Sequence, residues 1–171
     1  MIDSMAGRMA ESLKRANPER TASVAVMRFS LILLLNALAT VALCLAIGWA
    51  TGRLAETAVV LAGFVVLRFF SGGFHLKSSD ACVVFSTAII SALPHLSVPD
   101  WTMRLTIASA ALAALLAPTK VENQIQVSEG HKPWFKLISV LIVCTNFAIG
   151  SESLAKAFFV QALLLIPMRR R

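Results

Sequence analysis

Between Phe29 and Gly52 the chain carries no charged side chain, and five similar runs follow it: Thr57–Leu67 continuing through Phe69 and Phe70, Ala81–Pro99, Leu105–Thr119, Leu137–Ser151 and Ala157–Met168. A soluble core cannot absorb so much apolar surface. The hydrophobic share is 57% and the mean hydropathy +0.76, whereas soluble domains hold about 45–50% apolar residues. In a bilayer each backbone polar group has to be satisfied within its own segment, so runs of this kind become helices. The chain therefore reads as an all-α polytopic membrane protein with about six transmembrane helices. Some runs are shorter than the ~20 residues that cross a hydrocarbon core, so flanking Lys and Arg snorkel or some segments are re-entrant.

Short loops rich in Lys and Arg stay in the cytoplasm. With six passes and a cytoplasmic N-terminus, only Arg53, Arg104 and Lys156 of the sixteen Lys and Arg residues fall on the outer side. Both termini and the segment Arg68–Thr87 are thus expected in the cytoplasm. The net charge of +7 is read as topology. Nucleic acid is not an expected partner, because the basic residues are scattered along loops without a recognition motif.

Before the first run, Ile2, Met5, Met9 and Leu13 recur at spacings of three and four, opposite Asp3, Arg8, Glu11, Lys14 and Arg15. That pattern describes an amphipathic helix within residues 1–20, lying at the inner membrane interface or serving as a cytoplasmic starter helix, and Asn17-Pro18 ends it. No cleavable signal peptide is evident in this polar start. Residues 118–134 form the most polar connection and are expected as a cytoplasmic loop. No repeat or second domain interrupts residues 1–171. His75, His95 and His131 lie in different segments without ligand spacing, so no metal or other cofactor is expected.

One stretch breaks the apolar pattern: "RFFSGGFHLKSSDACVVFST", Arg68 to Thr87. His75 and Cys82 supply the imidazole and thiol that a cysteine peptidase needs within hydrogen-bond reach. On one continuous helix, seven residues would hold them about 10.5 Å apart. The segment has to bend, and Gly72-Gly73 gives it the freedom to do so. Ser78-Ser79-Asp80 is a helix start; with Ser79 as N-cap, Cys82 takes the third helical position, where the helix dipole favours a thiolate. Cys44 and Cys144 sit inside apolar runs and read as small hydrophobes. Asp80 either orients His75 or serves the helix start.

The order Arg68, Ser71-Gly72-Gly73, His75, Ser78-Ser79, Cys82 resembles the signature of the AgrB family, integral-membrane cysteine endopeptidases that process quorum-sensing propeptides. The resemblance extends to the six-span layout and to Ala117-Pro118 and Lys132-Pro133. It implies His75 and Cys82 as the catalytic pair, with Arg68, Gly72 and Gly73 as required residues. It also implies an AgrD-like propeptide as partner, cut through a thioester on Cys82 and then cyclised to an autoinducing peptide. Arg68 either orients the loop or binds a substrate carboxylate, against the simpler role of an interfacial anchor. Lys120, Lys132 and Lys136 are candidates for holding an acidic part of the substrate. Membrane lipids and a second copy of the chain complete the candidate partners. The rival reading is a non-enzymatic transporter, exporter subunit or scaffold, in which Gly72-Gly73 is a hinge and His75 lines a pathway.

Overall fold

A computed structural model describes residues 1–73, 78–118 and 129–166. Among these residues every regular element is helical: α1 (Ile2–Ala16), α2 (Val24–Ala50), α3 (Leu54–Ser71), α4 (Ser79–Ala92), α5 (Thr102–Leu116), α6 (Lys132–Ile149) and α7 (Glu152–Leu163). Short 3-10 turns cover Leu93–His95, Pro99–Trp101 and Glu129–His131. The six apolar runs thus correspond to α2–α7.

The six-pass count does not follow from helix length. Among the described residues, only α2, α3 and α6 are long and apolar enough to cross a membrane, while α4 and α5 are shorter apolar helices. The twelve residues of α7 extend about 18 Å at 1.5 Å per residue, against about 30 Å of hydrocarbon. What α7 lacks in length it gains in burial. Ala155, Ala157, Phe158, Gln161 and Ala162 are all buried in the bundle, where α7 packs against α3 and α5.

Small residues set the closeness of these contacts, as is usual where apolar surface alone gives lipid-embedded helices no reason to associate. A Cβ on Gly63 of α3 would stand 2.8 Å from the Leu154 side chain of α7. One on Gly48 of α2 would stand 2.7 Å from Thr57 Oγ1 of α3. The resulting core joins Cys44, Val60, Leu61, Phe64, Ile90 and Ala157 from α2, α3, α4 and α7 with Leu93 of the turn after α4. Asn146, buried on α6, donates to Thr106 Oγ1 of α5 at 3.0 Å and accepts from the Ser151 amide at 3.0 Å, so its amide has partners within the bundle.

Successive helices alternate in direction, which gives the bundle two ends of different character. At one end Lys156 of α7, only 6% exposed, donates to Glu152 Oε1 at 3.0 Å and to the Leu96 carbonyl. Glu152 also accepts from the Val98 amide at 2.7 Å, and Arg53 reaches the Pro94 carbonyl. These contacts pin the connection between α4 and α5 onto the starts of α3 and α7. The other end gathers the close of α3, the start of α4, the start of α6 and the close of α7, and it holds the candidate site.

Helix α1 stops at Ala16, with Asn17 as its C-cap. It packs on α2; its buried residues are Ala6 and Ala10, and Gly7 lies beside the Arg28 side chain. Met5, Met9 and Leu13 remain exposed. The stripe that made the segment look amphipathic is therefore not the face that meets the protein.

Candidate functional site

Helix α3 ends where the glycines begin. Gly72 is its C-cap at φ 72°, ψ −147°, and Gly73 follows at φ 140°. Both are conformations that residues with a Cβ resist. The turn lets the chain leave α3 and enter α4 in the opposite direction. His75 lies within residues 74–77, outside the described residues, and so does Lys120.

Helix α4 begins one residue earlier than expected. Ser78, not Ser79, is the N-cap, its hydroxyl accepting from the Ala81 amide at 3.4 Å. Ser79 is the first residue of the helix, and Cys82 becomes the fourth, its amide already donating to the Ser78 carbonyl at 3.0 Å. Both serines can cap, and the earlier one gives the helix an extra residue of hydrogen bonding. The half-buried Cys82 thiol consequently stands at the end of the first turn, where the dipole of α4 has begun to fade.

The Arg68 guanidinium, one turn before the end of α3, lies within electrostatic reach of Cys82. Among the described residues, two groups hold it. Its Cζ sits 5.7 Å from the centroid of the Phe64 ring, a cation–π distance, and its Nη1 donates to Gln161 Oε1 at 3.2 Å. Gln161 is completely buried and faces the glycine turn. Its Nε2 donates to the Gly72 carbonyl at 2.6 Å and to Ser71 Oγ at 3.2 Å.

Sequence reasoning passed over Gln161, because its surroundings, Ala157–Met168, were read for hydrophobicity alone. The available signal was an amide within an apolar run, which in a membrane protein is expensive and marks a site or a packing contact.

Asp80 serves the helix start, as one of its two expected roles had it, lying in the first turn of α4, and it does so for a second helix as well. Its Oδ2 takes the Met1 ammonium at 2.6 Å and its Oδ1 the Ile2 amide at 3.2 Å. One carboxylate thus serves the starts of α4 and α1 together, a favourable place for negative charge. Asp80 precedes the apolar run that opens at Ala81, and the Met1 ammonium, then the Ile2 amide, hold its carboxyl below the usual range.

Lys132 and Lys136 line a cleft with Leu115, Leu116, Ala117, Pro118 and Pro133, about 420 Å³ in volume. The expected loop 118–134 ends earlier than its polarity implied, since Lys132 already opens α6 and Pro133 occupies the first turn, a position its fixed φ suits. Phe135 of α6 meets Phe70 of α3 at 5.9 Å between ring centroids, so the cleft adjoins the end of α3. Among the described residues, no group of three His, Cys, Asp or Glu could hold a metal ion.

The protein is thus a helical membrane bundle that gathers an arginine, a paired-glycine turn and a cysteine in the first turn of a helix at one end. The chain belongs to the accessory gene regulator B family, whose model matches residues 3–166. An AgrB-like protein of Halalkalibacterium halodurans is 27% identical over 175 residues, covering 98% of this chain and 88% of the relative. No solved structure matches the chain. Membership ties it to agr quorum sensing, in which AgrB proteins act with an AgrD propeptide.

Proposed function

We propose that the chain is a membrane cysteine endopeptidase that cuts an AgrD-like propeptide, with Cys82 as nucleophile and His75 as general base. The observation that carries this reading is the convergence of Arg68, the Gly72-Gly73 turn and Cys82 at one end of the bundle, in a chain that belongs to the AgrB family. Cys82 Sγ attacks the scissile carbonyl, its proton passes to the His75 imidazole, and the same proton leaves with the amine of the propeptide's C-terminal part. The N-terminal part remains as a thioester on Cys82. A nucleophilic thiol within the peptide then attacks that thioester, closing a thiolactone and returning the Cys82 thiol. Exchange between thioesters is nearly balanced in energy, so the membrane boundary favours ring closure by limiting water, for which hydrolysis is downhill.

The bundle end that holds Cys82 is assigned to the cytoplasm. Arg53, Arg104 and Lys156 mark the opposite end, and the remaining Lys and Arg fall to the Cys82 side of a six-pass chain. Hydroxylamine tests the chemistry. Added to membranes carrying protein and propeptide, it should capture the N-terminal fragment as a hydroxamate at the new C-terminus. A transporter or scaffold forms no hydroxamate, and its absence while the C-terminal part is still released removes the thioester.

Lys132 and Lys136, at the cleft beside α3, are assigned to an acidic C-terminal part of the propeptide. Lys132→Gln combined with Lys136→Gln should slow cleavage several-fold at low salt. The difference should shrink as ionic strength rises, because both lysines are only half-buried and salt screens charges in contact with water over about 10 Å at 0.1 M. A deficit that persists at high salt would assign the lysines to packing.

A further inference from the structure

The proposed reaction uses Arg68, the glycine turn and Cys82, and all three come from α3, α4 and the connection between them. Yet the side chain that ties this turn together comes from α7. Gln161 is fully buried, about ninety residues away in sequence from the groups it holds. It uses both hydrogens of Nε2, on the Gly72 carbonyl at 2.6 Å and on Ser71 Oγ at 3.2 Å, and it offers Oε1 to Arg68 Nη1 at 3.2 Å. The fit around it is close. A Cβ on Gly73 would stand 3.1 Å from Gln161 Nε2 and 3.3 Å from Arg68 Nη1.

An amide is the side chain suited to this place. It offers a donor to the carbonyl of a helix end and an acceptor to a guanidinium, in one planar group with no net charge. A carboxylate would lack the donor and would pair with Arg68, cancelling the positive charge near the thiol. An apolar side chain would remove a donor from the Gly72 carbonyl and an acceptor from Arg68 in a buried setting. Packing alone does not call for a glutamine on the most buried helix of the bundle.

We propose that Gln161 is the positioning residue of this site: it locks the Ser71-Gly72-Gly73 turn and aims the Arg68 guanidinium at Cys82. This rests on the endopeptidase reading for its consequence in cleavage, but not for its geometry. Gln161 acts through Arg68 and the turn, and the reacting atoms belong to Cys82 and His75. It follows that α7, too short to span a bilayer unaided, is kept inside the bundle as the wall that holds the site in register.

The test uses full-length protein in membranes, in a background of Cys44→Ala and Cys144→Ala so that Cys82 is the one thiol. Gln161→Met keeps the volume and a good helix former while removing all three hydrogen bonds. Two quantities are read: cleavage of the propeptide, and the pH profile of Cys82 alkylation by N-ethylmaleimide, which needs no propeptide. Gln161→Met should lower cleavage on the order of 100-fold, the cost of a small misplacement at a reacting centre. It should also move the alkylation midpoint with the sign and size seen for Arg68→Gln. The double variant should move it no further than either single change, because both act on one guanidinium.

A wild-type alkylation profile in Gln161→Met, additive shifts in the double variant, or unimpaired cleavage would each overturn the assignment. Loss of membrane-inserted protein in Gln161→Met, with Gln161→Glu inserted and showing both the wild-type profile and wild-type cleavage, would reduce Gln161 to packing. Failure of the endopeptidase reading is distinguishable. There, Cys82→Ala would still release the C-terminal fragment, while the alkylation profiles would continue to report on the clamp.

Discussion

Replacing Cys82 with Ala should abolish propeptide cleavage while leaving the bundle inserted and folded. The side chain is half-buried in the first turn of α4 and belongs to neither core cluster, and Ala is the best of the helix formers. Its removal deletes the nucleophile and little else. Loss of a nucleophile costs on the order of 10⁴-fold or more in comparable enzymes, which places residual cutting below detection. Cys82→Ser should be nearly as inactive, since a hydroxyl ionises far less readily than a thiol even beside an imidazole. Cys44→Ala and Cys144→Ala should both cleave. Cys44 is fully buried in the core shared by α2, α3, α4 and α7, so its truncation lowers stability by about 1 kcal/mol, the scale of one lost methyl-sized group, without touching the site. The measurement is the ratio of intact to cut propeptide at matched amounts of membrane-inserted protein. Cutting by Cys82→Ala, or dependence on either other cysteine, would move the nucleophile elsewhere and restore the transporter or scaffold reading.

The parts of this architecture that were legible in the sequence are those decided locally. Absence of charge over long runs favours helix, and among the described residues each of the six runs overlaps one. Gly72-Gly73 ends α3 because φ of 72° and 140° suits residues without a Cβ, and the motif announces it. Asn17-Pro18 ends α1 for an equally local reason. Boundaries were less sharp where two adjacent residues could do the same work, as Ser78 and Ser79 could at the cap of α4. Lengths were legible only in part: charge patterning marks where apolar segments lie, but whether α4, α5 and α7 cross a bilayer depends on how they tilt and pack. Contacts between distant segments were not legible at all. Asp80 offered two plausible local roles, and its partners are Met1 and Ile2, which reach it only after α1 has docked. Gln161 looked like a blemish in an apolar run until α7 was laid against the end of α3.

That last contact sets up the second large effect, at Gly73. A Cβ there meets two penalties at once. The backbone stands at φ 140°, a region essentially closed to other residues, at a cost of about 1–3 kcal/mol. The new carbon would also come within 3.1 Å of Gln161 Nε2 and 3.3 Å of Arg68 Nη1, and 3.6 Å of the Leu164 carbonyl. Neither near neighbour can retreat freely, because Gln161 is engaged with Gly72 and Ser71, and Arg68 with Gln161 and the Phe64 ring. Gly73→Ala should therefore open the turn, displace Arg68 from Cys82 and lower cleavage on the order of 100-fold or more. Gly150 supplies the control. It too has a positive φ, 65°, but a Cβ on it would meet nothing within 4 Å, and it lies between α6 and α7 at the far end of the bundle. Gly150→Ala should cost about 1–2 kcal/mol of stability for its left-handed backbone and cut the propeptide almost as well as the unaltered chain. Cleavage and thermal unfolding measured on both variants separate the causes. If the two lose activity in proportion to stability alone, Gly73 is only a strained turn. If Gly73→Ala is inactive at a temperature where it remains folded, and Gly150→Ala is active, the crowding against Gln161 and Arg68 is what the reaction cannot tolerate.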